Sequence, residues 1–219
     1  MRIWAISDTH CQHRHLEVPK DIDAVIHAGD EANSRDVVNN YSECLDFSEW
    51  WASLPIQLKY FVPGNHSIAI SNGLCLPENT LAHNETYVGS IKAFMSPYTP
   101  AWGDGWAFMV KRNRLGAAWD YIPKDTQILV THGPPKGVLD ITRDRMHGHL
   151  IQVGCSALRK KVTEIKPKLH VFGHIHDERG VSNYGIFERN GTKFVNAAVC
   201  DIKGTFKHNG HVIEIADAT

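Results

Sequence analysis

An alternating α/β chain is the fold class this sequence predicts, and three observations predict it. Apolar runs of strand length recur at Ile3 to Ser7, Ala24 to Ala28, Leu58 to Val62, Gln127 to Thr131 and Leu169 to Phe172. Segments with helical spacing separate several of these runs. Each run also ends in residues of one chemical kind, carboxylates, imidazoles or a side-chain amide. With 219 residues the chain can bury one sizeable core but not comfortably two, so residues 1–219 are read as a single domain.

The first strand delivers Asp8-Thr9-His10 at its carboxyl end. Alone, an Asp-x-His step more often opens a turn than binds anything. The second strand closes on Gly29-Asp30, and His27, inside the apolar run, reads as a buried supporting residue rather than a ligand. From Tyr41 to Ser53, Leu45, Trp50 and Leu54, with Phe47 and Trp51 beside them, fit a helix face that covers the sheet. Those aromatics are assigned to the core. The third strand passes through Pro63 into Gly64-Asn65-His66-Ser67.

The segments Glu85 to Val88 and Ile91 to Met95 predict a hairpin turning through Gly89-Ser90. Proline and glycine make Ser96 to Trp106 a loop, whose aromatics Tyr98, Trp102 and Trp106 either stack on a base or fold back to seal the sheet edge. A short helix is expected over Lys111 to Asp120, then the strand Gln127 to Thr131, which exits through His132-Gly133-Pro134-Pro135. Lys136 to Val153 reads as a polar loop with Arg143, Arg145, His147 and His149, any of which could meet a phosphate, although most are expected to be solvated. Gly154 to Ile165 reads as a helix stopped by Pro167. The strand Leu169 to Phe172 then ends in Gly173-His174-Ile175-His176, where alternate side chains of an extended segment bring both imidazoles to one face. Lys193 to Ala197 and His211 to Ile215 are the last strands.

Composition limits the partners. A formal net charge of −1, with no block of basic residues, fits a small charged substrate better than long nucleic acid. No apolar run approaches the length of a membrane span, and the amino terminus lacks a signal h-region, so a cytoplasmic protein is expected. Five cysteines without CxxC spacing argue against a disulfide framework and against a thiolate zinc site.

In an alternating α/β chain, side chains at the carboxyl ends of strands become neighbours in space. Carboxylates, an amide oxygen and imidazoles form a mixed oxygen and nitrogen set that suits divalent manganese, iron, zinc, nickel, cobalt or magnesium, and there are too many ligands for one ion. Two divalent metal ions are therefore the expected cofactors, manganese first.

The series Asp-x-His, Gly-Asp, Gly-Asn-His, a later His and Gly-His-x-His resembles the calcineurin-like metallophosphoesterase family. The segments Thr131 to Pro135, Val153-Gly154-Cys155 and Pro167 to His176 look closest to its metallophosphoesterase domain-containing branch. The resemblance implies a four-layer sandwich of two mixed β-sheets flanked by helices. It also implies Asp8, His10, Asp30 and His176 around one metal and Asp30, Asn65, His132 and His174 around the other. Asn65 and His66 would meet the substrate, with Trp102 as a base-stacking candidate, and Asp30, Asn65 and His66 would carry the catalytic roles. The activity implied is phosphodiester hydrolysis, on cyclic nucleotides or related small esters, by a hydroxide bridging the metals. A phosphomonoesterase would need the same site, a non-catalytic scaffold would be expected to have lost ligands, and a homodimer is compatible with either activity. One position departs from the family: Ser67 stands where an acidic residue usually follows the histidine, which would leave His66 without that carboxylate to stabilise its protonated form unless a backbone carbonyl or another acidic residue substitutes.

Overall fold

The structure, a computed structural model, describes residues 1–144 and 146–216. Arg145, read above as solvated, lies outside the described residues. In chain order the elements are β1 (Arg2–Ile6), β2 (Ala24–His27), α1 (Val37–Ser53), β3 (Leu58–Phe61), α2 (Ile68–Ser71), β4 (Asn84–Val88) and β5 (Ile91–Ser96). There follow β6 (Thr99–Pro100), β7 (Met109–Val110), α3 (Leu115–Asp120), β8 (Ile128–Thr131), β9 (Ile141–Arg143) and β10 (Leu150–Gln152). The chain ends with α4 (Ser156–Ile165), β11 (Leu169–Phe172), β12 (Gly185–Arg189), β13 (Thr192–Asn196) and β14 (His211–Glu214).

Two mixed sheets result. The first has the order β14-β1-β2-β3, with β14 antiparallel to β1 and the other neighbours parallel. The second runs β12-β13-β11-β8-β5-β4, with parallel strands inside and an antiparallel strand at each edge. Strand periodicity sorts the side chains into three apolar layers. Ile3, Ala5 and Ile26 from the first sheet pack against Met95, Val130 and Val171 from the second. On the outer face of the first sheet, Trp4, Ile6 and Val25 meet Phe47, Trp50 and Trp51 of α1. On the outer face of the second, Phe94, Leu129 and Phe172 meet Trp119 of α3 and Leu158 and Val162 of α4. Helix, sheet, sheet, helix is the expected four-layer sandwich.

Several boundaries differ from the sequence reading. The Asp36 carboxylate accepts from the backbone of Val38 and Asn39, so α1 starts four residues before Tyr41. The expected helix over 111–120 forms only from Leu115, after a turn. The polar loop over 136–153 contains the hairpin β9–β10, with Arg143 opposite Leu150. Strand β12 was not anticipated, although its turn to β13 through Asn190-Gly191 is a strong hairpin signal. All five cysteines are free.

The two sheets are joined where their carboxyl edges meet. The backbone N–H of Val199 donates to Ser7 O at 2.9 Å, and a parallel bridge pairs Ser7 with Ala198. The segments after β1, β2 and β3 are thereby set against those after β8 and β11.

Candidate metal centre

At that edge the structure gathers seven expected ligands, with His66 beside them. Three groups have ligand atoms within 4.8 Å of one another: Asp8 with His10 and His176, His10 with Asp30 and His66, and Asp30 with His132 and His174. Asp30 is common to two of them. Asn65 joins the last, its Oδ1 standing 3.0 Å from His132 Nε2.

The backbone is shaped to bring these side chains together. Asp8, His10, Asp30 and His174 have φ of 53°, 41°, 60° and 67°, a left-handed region that costs a residue with a Cβ roughly 1 kcal/mol or more. Cross-strand hydrogen bonds hold those conformations: Asp8 N–H donates to Gly29 O at 2.8 Å and His10 N–H to Asp30 O at 3.1 Å. The carboxylates are fixed in turn, since Asp8 accepts from His174 N–H and Asp30 Oδ1 accepts from His66 N–H at 2.7 Å. A Cβ on Gly173 would overlap the Asp8 carboxylate, and one on Gly64 would overlap that of Asp30. Both motif glycines therefore make room for a ligand on another strand. His27, as expected, supports the turns, with Nε2 3.1 Å from Thr9 Oγ1 and Nδ1 accepting from Gly29 N–H.

The donor set fits divalent cations. A carbonyl can only accept, so His10, His132 and His176 each carry a proton on Nδ1, donated to Ala32 O, Ala28 O and Asp201 O at 3.1, 2.9 and 3.0 Å. In the neutral rings Nε2 is then a bare lone pair. Yet Nε2 of His10 lies 3.3 Å from Nε2 of His176, and Nε2 of His132 faces the Asn65 amide oxygen. Acceptors so placed repel one another unless a proton or cation lies between them.

Protonation follows the same logic. Burial pushes the Asp30 carboxyl up, but His132 and His66 outweigh it and hold it well below the usual range. His132, against burial, is raised to about 9 by Asp30 at 3.3 Å. Asp8 is likewise lowered by His176 at 2.9 Å despite its burial. Burial takes His10 down to about 4 and His174 to about 3, with His176 and His132 respectively adding to it. Without a cation, imidazolium protons balance the two carboxylates, and a divalent ion in each group would displace them.

His66 has a different setting. Its Nδ1 is 3.1 Å from Asn33 O, which fixes the ring with Nε2 4.0 Å from Asp30 Oδ2. The loop aromatics differ in their settings. Tyr98 packs against the outer core, while Trp106 lies 4.1 Å from the His66 ring with the Arg35 guanidinium 4.2 Å over it. Trp102, half exposed, stands 5.9 Å from Trp106 and lines a cavity of about 610 Å³. That cavity opens from His10, Asp30, Asn65 and His174 toward Arg112, Arg143 and Lys203.

At position 67 the serine has partners of its own. Ser67 Oγ accepts from Gly64 N–H at 2.8 Å and donates to buried Glu31 Oε2 at 2.6 Å. The serine shapes the Gly64-Asn65-His66 turn, and His66 Nδ1 meets a backbone carbonyl, that of Asn33, in place of the usual acidic residue. Neither Glu31 nor Asn33 stands out in sequence, because each meets its partner across more than thirty residues.

Two sheets converging on carboxylates, an amide and imidazoles define a candidate metal-binding protein of the α/β sandwich class. The chain belongs to the calcineurin-like phosphoesterase family, whose model matches residues 1–178. It is 32% identical to metallophosphoesterase domain-containing protein 1 of Homo sapiens over 92% of this chain and 67% of that one. A UPF0046 protein of Caenorhabditis elegans is 34% identical over 93% of this chain and 76% of its own length. Among solved structures, phosphopantetheinyl hydrolase from Mycobacterium tuberculosis matches with a TM-score of 0.53 at 16% identity, over 92% of this chain and 90% of that one. Purple acid phosphatase from yellow lupin seeds matches at 0.52 and 14%, over 99% of this chain and 46% of that one. At these identities the structural likeness speaks to the fold. Family membership carries the coarser conclusion, metal-dependent hydrolysis of phosphoesters. Among the described residues no helix is long and apolar enough to cross a membrane.

Proposed function

We propose that this single-domain chain is a phosphodiesterase acting on cyclic nucleotides or related small phosphodiesters. Asp8, His10, Asp30 and His176 would hold one divalent ion and Asp30, Asn65, His132 and His174 a second, with manganese the first candidate. The observation that carries a whole small ester as substrate is the cavity, and the preference for diesters over monoesters rests on the resemblance to the metallophosphoesterase domain-containing branch. At about 610 Å³ the cavity falls within the roughly 300–1,000 Å³ of pockets that enclose whole small molecules. A bare phosphate needs only the ligand cluster, whereas a nucleotide can also use Trp102 for its base and Arg112, Arg143 and Lys203 for its charge.

When bound, the cation pair supplies a water nucleophile at neutral pH and neutralises the phosphoryl charge. The chain's own residues do the rest. Asp30, clamped by His66 N–H, keeps the two ligand groups in register. Asn65, with Oδ1 in the ligand set, retains its amide N–H for a phosphoryl oxygen. With Nδ1–H committed to Asn33 O, His66 directs Nε2 into the site, where a proton on it can be donated to a phosphoryl oxygen or to the leaving group.

The deciding experiment is a substrate panel: cyclic nucleotides, linear dinucleotides and p-nitrophenyl diesters and monoesters, with each candidate metal added to chelator-stripped protein. Faster turnover of diesters than of matching monoesters is expected. The reverse order would make the chain a phosphomonoesterase.

A further inference from the structure

We infer that the loop closing the β9–β10 hairpin is a third metal site, taking one divalent ion of the zinc class through Asp144, His147 and His149. These three residues offer ligand atoms within 4.8 Å of one another, and none belongs to the catalytic groups. Among the described residues, the other compact sets of this kind are those of the candidate metal centre.

The turn holds its ligands in place before any ion binds. Asp144 N–H donates to His149 O and Gly148 N–H donates to Asp144 O, both at 2.8 Å, which closes the loop on itself. Asp144 Oδ1 accepts from the backbone N–H of Met146 and His147 and lies 3.0 Å from His147 Nδ1. The His147 and His149 rings lie side by side, with centroids 5.7 Å apart and planes 30° apart. Much of the ordering that a loop site would pay on binding is therefore already in place.

Donor chemistry selects the ion. Two imidazoles and a carboxylate, with no thiolate, suit zinc, copper, nickel or cobalt and not calcium or magnesium, which prefer oxygen alone. Zinc accepts three protein ligands with water in its fourth position. The His147 side chain is 67% exposed, so water can reach the site. Closing ligand atoms spread over 4.8 Å onto bonds of roughly 2.0–2.2 Å needs only side-chain rotation of the two histidines on the fixed turn. Arg143 and Asp144 also line the catalytic cavity, so an ion here would brace its outer wall.

The test is a zinc titration of the full chain, stripped by chelator and competed against a chromophoric chelator. It is done in an Asp30→Asn background as well as in the native sequence, so the outcome does not depend on the catalytic centre. His147→Ala/His149→Ala should bind one zinc fewer in both backgrounds, or bind it at least about tenfold more weakly. Equal stoichiometry and affinity with and without the two histidines would overturn the site. A second measurement leaves the hairpin unaltered: zinc added to Asp30→Asn should slow tryptic cleavage within residues 141–152 several-fold. Cleavage indifferent to zinc would overturn the inference even if the double variant misfolded.

Discussion

The Ser67 hydroxyl donates to Glu31 across 2.6 Å, with both side chains fully buried. The same hydroxyl accepts from Gly64 N–H, so it ties the turn that carries Asn65 and His66 to the residue following Asp30. Ser67→Ala leaves that buried N–H unsatisfied and should cost about 1–3 kcal/mol. Ser67→Asp should cost more, because it sets a second carboxyl against Glu31, whose own acid burial already pushes up to about 8. Urea unfolding of both variants measures this. A Ser67→Asp protein as stable as wild type and faster on poor leaving groups would restore the idea that position 67 serves His66 directly.

Asp30 belongs to two ligand groups, and its Oδ1 is taken by His66 N–H. Asp30→Asn should reduce metal content at both catalytic sites and lower turnover by at least about 10²-fold, as loss of a ligand rather than of its support. Elemental analysis and steady-state kinetics on the same preparation check it. Full metal content with normal turnover would remove Asp30 from the bridging role.

The ligands were legible because each follows an apolar run within four residues, so one local pattern repeated five times locates them. What supports them was not. Glu31 and the Asn33 carbonyl act on residues over thirty positions away, and the left-handed φ of Asp8, His10, Asp30 and His174 leaves only a weak signature, the higher frequency of Asp and His in that region. Nothing near Gly173 in sequence shows that its missing Cβ makes room for Asp8. Strands β9 and β10 have three residues each and are exposed or half-exposed, so no hydrophobic alternation betrays them. Strand β12 was knowable from Asn190-Gly191, but its largely exposed side chains lack the alternation of a half-buried strand.

The two tryptophans of the cavity loop should separate kinetically. Trp106 is packed between His66 and Arg35, so Trp106→Ala should act mainly on kcat by loosening His66. Trp102 lines the cavity wall. Trp102→Ala should raise KM for a nucleotide by about tenfold, in line with roughly 1–3 kcal/mol for stacking a base, and should raise that for p-nitrophenyl diesters less. Equal KM effects on both substrates would make Trp102 a structural seal.

If His66 protonates the departing oxygen, His66→Asn should cost little with p-nitrophenolate, which leaves unaided. With a ribose alkoxide, which needs a proton, the loss should be about 10²- to 10⁴-fold. Single-turnover rates on both esters read the contrast. An equal loss on both would assign His66 to phosphate binding instead.

The last prediction concerns acid stability and rests on His170, outside the metal centre. This ring is fully buried in β11, Nε2 lying 2.8 Å from Thr131 Oγ1, with Phe172 and Phe194 at 5.1 and 5.8 Å. Burial holds its acid down at about 3, against about 6.5 in an unfolded chain. The folded protein thus keeps His170 neutral while the unfolded chain takes up a proton as the pH falls below 6.5. Stability should drop by about 1.4 kcal/mol per pH unit from this residue alone, and the loss should level off only near pH 3. His170→Leu removes the contribution, and the Thr131 hydroxyl still donates to Gly133 O at 2.8 Å. Between pH 7 and pH 5, chelator-treated wild type should therefore lose roughly 2 kcal/mol more than His170→Leu in urea unfolding. The other buried histidines titrate in both proteins and cancel in the difference, so parallel losses would mean that His170 does not enter the acid transition.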